Sequence, residues 1–119
     1  MPFKTLLNAL VERVPGAQGA IIADWEGESV DQVGIMDDYD LKVIGAHKGV
    51  ILHSMRDVVD RLGDDDLKEI VITTKQAQTV IMPVTEDYYL VLTLDRSDML
   101  GRALLEARRC IHALYQEIV

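Results

Sequence analysis

The segment from Tyr39 to Leu62 carries more apolar surface than one helix face can use. Leu41, Ile44, Ile51, Leu52, Met55, Val58, Val59 and Leu62 recur at spacings of three and four, which places them on one side of a long helix. Val43, Ala46 and Val50 lie beside that stripe; at about 100° per residue, Val43 and Val50 fall a quarter-turn or more away from it. A helix resting on one sheet needs only the first stripe, which is expected to place Leu41, Ile51, Met55 and Val58 on the sheet. The second stripe predicts a partner, with Val43 and Val50 facing it and His47 and Ser54 close by.

A chain of 119 residues can build one compact core and is too short for two, so a single domain over 1–119 is expected. Apolar residues make up 49% and charged residues 27%, a balance that excludes wholesale disorder. The net charge of −8 argues against nucleic acid and anionic lipid as partners, because both reward clustered Lys and Arg. Cys110 is the lone cysteine and closes no internal disulfide. No signal-peptide block opens the chain, and no run reaches the ~20 apolar residues of a membrane span. The expectation is a cytoplasmic protein with no insertion into membranes.

Phe3, Leu6, Leu7, Leu10, Val11 and Val14 define a first helix that Pro15-Gly16 stops. Ala17 to Asp24 is apolar on both alternations, as in a strand covered on both faces. A turn at Asp24-Trp25-Glu26-Gly27 leads into a more polar strand from Glu28 to Ile35, expected near an edge. Asp37, Asp38 and Asp40 crowd the start of the long helix, where carboxylates suit free amides and the positive dipole end. Gly63 suits its C-terminus, and Asp64-Asp65-Asp66 reads as a solvated connector. Leu67 to Thr73, Thr79 to Val84 and Tyr88 to Asp95 follow with turns too short for crossovers, hence an antiparallel meander with the last strand central and Pro83 at a strand end. Leu100, Leu104, Ala107, Ile111, Leu114 and Ile118 define a last helix, with Ser97 or Asp98 as its cap. Strands buried on both faces need helices on both sides. The fold expected is a three-layer α/β/α sandwich around a five-stranded antiparallel sheet, in the order helix, hairpin, long helix, three-strand meander, helix.

Little in the sequence points to catalysis. His47 and His53 are six apart, not the three or four of helical metal pairs, and Cys110 and His112 project in different directions from their helix. The acidic runs lack the alternation and closing Glu of a calcium loop, and no Gly-rich loop carries Lys-Ser or Lys-Thr. No catalytic, cofactor or metal residue is assigned. Gly45 and Gly49 weaken the long helix, by roughly 1 kcal/mol each relative to Ala, and either allow a close neighbour or are merely tolerated. Arg102, Arg108 and Arg109 form a basic strip on the last helix and suit pairing with neighbours such as Glu106. Trp25, at a hairpin tip, is a candidate partner contact. Past Glu69, the strand carrying Ile70, Val71, Ile72 and Thr73 has no charge, bulge or proline to discourage edge pairing.

Val14-Pro15-Gly16-Ala17, Gly19-Ala20-Ile21-Ile22-Ala23-Asp24 with Gly27, Pro83-Val84 before an acidic turn and Tyr88-Tyr89-Leu90-Val91-Leu92, and Leu100-Gly101 form an ordered set over nearly the whole chain. The set resembles the roadblock/dynein-light-chain family, including its bacterial branch of partners of Ras-like GTPases. The resemblance implies the first and last helices on one face and the long helix on the other. It also implies dimers in which long helices lie side by side and third strands pair edge to edge. The interface expected is Val43, Ala46, His47, Val50 and Ser54 with Ile70, Val71, Ile72 and Thr73. By kinship the expected role is a non-enzymatic homodimeric adaptor that binds a Ras-like small GTPase or a larger signalling or motility assembly. A stand-alone sensor for a small ligand, or a signalling scaffold without a GTPase, is the alternative.

Overall fold

Two strands that are apolar on both alternations lie side by side at the centre of this fold and dictate its layers. The computed structural model describes residues 2–24, 26, 28–63, 65–95 and 99–119, with the backbone alone for Pro2 and Asp38. Trp25 and Gly27 of the first turn, Asp64 of the connector, and Ser97 and Asp98, the expected caps of the last helix, lie outside the described residues.

The elements run α1 (Pro2–Arg13), β1 (Ala17–Asp24), β2 (Ser29–Gly34), α2 (Asp38–Arg61), β3 (Ile70–Thr73), β4 (Ala77–Pro83), β5 (Tyr88–Asp95) and α3 (Leu100–Ile118). The strands form one antiparallel sheet in the order β2-β1-β5-β4-β3. Ala20 and Ile22 of β1 and Leu90, Leu92 and Leu94 of β5 face α1 and α3, where Leu7, Leu10, Val14, Ala103, Ala107 and Leu114 meet them. The other alternation, Ile21, Ala23, Tyr89 and Val91, faces α2, which supplies Leu41 and Leu52. Each Leu buried this way contributes about 1.5–3 kcal/mol. This is the expected three-layer sandwich, with β5 in the middle, β2 on an edge and Pro83 ending its strand.

Three local expectations change. The third strand begins at Ile70 and not at Leu67: residues 67–69 run outside the ladder where β4 reaches Pro83, which has no N–H to donate, and the Glu69 carboxylate is held by Arg108 of α3, with Nε to Oε2 at 3.0 Å. Asp37 occupies the N-cap of α2, but its side chain makes no capping bond, so its stabilisation there is through the dipole alone. Met99 holds the N-cap position of α3, likewise without a side-chain bond. Gly63 does follow the C-cap Leu62 of α2, at φ 109° in the left-handed region where a side chain would be strained.

The larger correction concerns the faces of α2. Leu41, Gly45, Gly49 and Leu52 are its buried residues. Met55 and Val58, expected on the sheet, are 42% and 49% exposed, and Leu62 is 75% exposed. The sheet face is lined at its middle by glycines because Tyr89 rises beneath it: the buried phenol donates to the Gly45 carbonyl at 2.9 Å. A Cβ on Gly49 would stand 2.2 Å from that hydroxyl oxygen. The glycines serve close approach, not tolerance.

Gly49→Ala should therefore destabilise the fold by about 1–3 kcal/mol through overpacking against an immobile ring, despite the better helix propensity of Ala. Gly101→Ala, in a helix with nothing within 4 Å of the added methyl, should be neutral or stabilise by up to ~1 kcal/mol. Urea unfolding of the two variants beside the parent measures both; a stabilised Gly49→Ala overturns the account.

Candidate interaction site

The residues singled out by sequence gather in two places. Ala46, His47, Val50 and Ser54 line one open groove of about 400 Å³ on α2, together with Gly49, His53 and Glu26. Val50 is 67% exposed there, large for a valine at mid-helix. Val43, two turns earlier on the same side, is half-buried. Ile70, Val71, Ile72 and Thr73 form the second group at the β3 edge, where Ile70 and Ile72 pack against the core on the α2 side. In a single chain the two groups are far apart in the layer, since α2 lies chiefly over β1 and β2 and little on β5.

The two sheet edges differ. In β2 the register shifts between Ile22 and Ala23, so Val30 bulges unpaired between Ser29 and Asp31. The Asp31 carboxylate accepts the Gln32 backbone N–H at 3.0 Å. A bulge, a charge and a self-satisfied amide are devices that discourage a further strand. Ile70 to Thr73 pairs with Ile81 to Gln78 in regular register and carries none of these. Sequence reasoning found the open edge and missed the guarded one; an Asp inside a predicted edge strand was the available signal.

Other candidate groups are engaged in structural contacts. Arg102 donates to the carbonyl of Arg13 at 2.6 Å and so closes the C-terminus of α1. Arg109 pairs with Glu106 at 3.4 Å, and Glu106 is buried at the α1–α3 seam, a position the apolar periodicity did not include. Arg108 grips Glu69 with two nitrogens. None of the three projects as a free arginine finger. Burial pushes the Cys110 thiol up to about 11, against a small opposing effect of Arg13, and the sulfur lies 3.9 Å from the Leu6 carbonyl. A thiol so placed is a packing group and not a nucleophile. Burial, then the charge of Asp24, lifts the Tyr89 phenol to about 12, so it stays the neutral donor that Gly45 requires. His47 and His53 stand on opposite flanks of Val50 in the same groove. Among the described residues no three His, Cys, Asp or Glu side chains converge as metal ligands.

The Roadblock/LC7 domain model matches residues 4–94, well over half of the chain. The chain belongs to the Roadblock/LC7 family. A Roadblock/LC7 domain from Streptomyces avermitilis superposes with a TM-score of 0.88 at 17% identity, covering 96% of this chain and 95% of that one. Myxococcus xanthus MglB gives 0.87 at 14% identity, with 98% and 94% covered. MglC from the same organism gives 0.71 at 25% identity, with 98% and 99% covered. No curated protein matches the sequence. The element order and the sheet expected from the resemblance are those of this roadblock fold.

In this roadblock chain the Glu69–Arg108 pair has a defined pH signature. The Arg108 hydrogen bonds, outweighing the cost of burial and helped by the guanidinium charge, hold Glu69 below the usual carboxylate range. Its folded pKa lies below its unfolded value near 4.5, so its contribution is full above that value and is lost as pH falls through the folded pKa. Glu69→Gln should lower the urea midpoint at neutral pH, and the gap from the parent should shrink on acidification below pH ~4. A gap independent of pH excludes the pair as its cause.

Proposed function

We propose that the chain is a single roadblock-type unit, 1–119, acting as a homodimeric, non-enzymatic adaptor in the cytoplasm. In this reading Val43, Ala46, His47, Val50 and Ser54 of α2 meet their two-fold mates, and Ile70, Val71, Ile72 and Thr73 pair edge to edge. The observation that carries it is the asymmetry of the sheet: one edge is guarded by a bulge and a charge, and the other is regular, uncharged and half-apolar. The exposed Val50 in its groove supports the helix half of the contact, because Ala46 and Ser54 beside it are small enough for a second helix to come close. Family membership and the likeness to MglB and MglC support a regulatory role, with a Ras-like GTPase or a larger signalling or motility assembly as the partner. Trp25 is proposed as a contact of that partner on sequence grounds.

GTPase activation and scaffolding remain two forms of one adaptor role, and hydrolysis rates separate them. No helix among the described residues is long and apolar enough to cross a membrane. The α2 groove and the depression over Met82 and Pro83 are open to solvent, which favours a surface contact over an enclosed ligand site.

Sedimentation at about 10 µM should give a dimer, and Val50→Asp should raise the dissociation constant at least tenfold, ~1.4 kcal/mol, with an unchanged circular dichroism spectrum. A parent that sediments as a monomer removes the dimer. A purified Ras-like GTPase from the same genome should bind in one nucleotide state in preference to the other; equal failure of both states removes the GTPase as partner.

A further inference from the structure

The β3–β4 ladder ends at Ile70↔Ile81, yet β4 runs on through Met82 and Pro83. Beside those two residues the chain from Leu67 to Glu69 runs without strand pairing, and Arg108 holds Glu69 on the α3 side. A groove results that wraps the end of β4. On the α3 side it opens to about 420 Å³ over Met82, Pro83, Val84 and Ile111, a mainly apolar floor. On the α2 side it continues for about 240 Å³ between Leu67 and the β4–β5 turn, where Asp60, Asp66 and Glu86 form the rim. Lys68, Pro83 and Val84 border both, so the two depressions adjoin around the end of β4.

The charge around this groove is lopsided. The β1–β2 turn with Asp24 and Glu28 shares its end of the molecule with the β4–β5 turn, since Asp24 pairs with Tyr88. The last turns of α2 arrive there too, Arg56 donating to the Glu86 carbonyl at 3.4 Å. The Arg61–Asp57, Arg108–Glu69 and Arg109–Glu106 ion pairs use none of Asp60, Asp66 and Glu86. Glu69 and Arg108 cancel each other on the apolar side. Those three carboxylates therefore face Lys68 and an already engaged Arg56 as the cations of the lining.

We infer that this groove docks an extended segment of a protein partner in which an aliphatic side chain is followed by Lys or Arg. The aliphatic group covers Met82, Pro83, Val84 and Ile111, and the cations meet the rim of Asp60, Asp66 and Glu86. Charge complementarity selects this occupant: an acidic segment is repelled, and a purely apolar one leaves the carboxylates unmatched. Pro83 has no N–H, so recognition here rests on the side chains and not on a further strand rung. The surface lies away from the α2 groove and adjoins the start of the β3 edge, so the test below also follows self-association.

The probe is a fluorescein-labelled peptide, Gly-Ser-Leu-Lys-Arg-Ser-Gly, titrated with the full chain and read by anisotropy. Binding should weaken about tenfold between about 50 and 300 mM salt, and about tenfold when the peptide Leu becomes Ser. The triple variant Asp60→Asn, Asp66→Asn, Glu86→Gln should weaken it about tenfold. An equal charge change at the opposite end, Glu12→Gln, Asp37→Asn, Asp95→Asn, should change it less than about twofold. Amide shifts in a ¹H–¹⁵N spectrum should concentrate at Leu67, Lys68, Val84 and Thr85. Equal losses from the two triple variants reduce the effect to net charge and overturn the inference, as does absence of binding at low salt. Peptide affinity that falls as the protein self-associates gives the groove to a second copy and overturns it also.

Discussion

The seat of α2 on Tyr89 is the contact on which the rest of this molecule depends. A tyrosine near the start of the central strand is fully buried and must satisfy its hydroxyl, and it does so with a carbonyl of the helix above it. A helix carbonyl can reach a buried phenol only if the helix comes down close, and Gly45 and Gly49 are what let it. The cost is that the middle of the sheet face of α2 contributes no side chains, so Leu41 and Leu52 straddle the contact and carry the apolar packing on this side. Val50, Met55, Val58 and, at the C-cap, Leu62 are turned outward. The exposed apolar surface that first marked this helix is thus a consequence of how closely it sits.

The opposite face is built differently. There α1 and α3 interlock through Leu7, Leu10, Val14, Ala103, Ala107 and Leu114, and arginines close the margins. Arg102 satisfies the end of α1, and Arg108 reaches past the sheet edge to Glu69. That last bond ties the connector to α3 beside the place where β3 begins. A surface ion pair contributes little to stability; the ladder stops where β4 runs into Pro83, which has no N–H for a further rung.

Most of the architecture was legible in the sequence because burial on both faces leaves a plain signature. Ala17–Asp24 and Tyr88–Asp95 are apolar on both alternations and so demanded helices above and below. Short turns between the last three strands left only a meander, and Pro83 marked a strand end. The error on α2 has a specific physical source. Apolar periodicity counts side chains, and the residues that face the sheet at its middle are glycines, which have none; the stripe it found was partly the outward one. Glu106 escaped for the converse reason, being a carboxylate buried at a helix seam where periodicity expects an alanine or leucine. The candidate site was legible in part: Ala46, His47, Val50 and Ser54 do share a groove, and Asp31 was a readable signal at the β2 edge, while the bulge at Val30 depends on a register that no local pattern encodes.

The contrast between the two edges carries weight because the strands face the same hazard. Each presents a row of backbone groups that water satisfies poorly against a half-apolar face, and each is a template for another strand. At β2 the chain places a bulge at Val30 and turns Asp31 onto the neighbouring amide, at the expense of ladder regularity. At β3 the ladder is regular, and Ile70 and Ile72 pack on the α2 side of the sheet, beyond the strands that α2 chiefly covers. The guarded edge suits water. In the dimer proposed above, the open edge would meet a second strand, and the outward Val50, Met55 and Val58 would lie on the helix that comes with it.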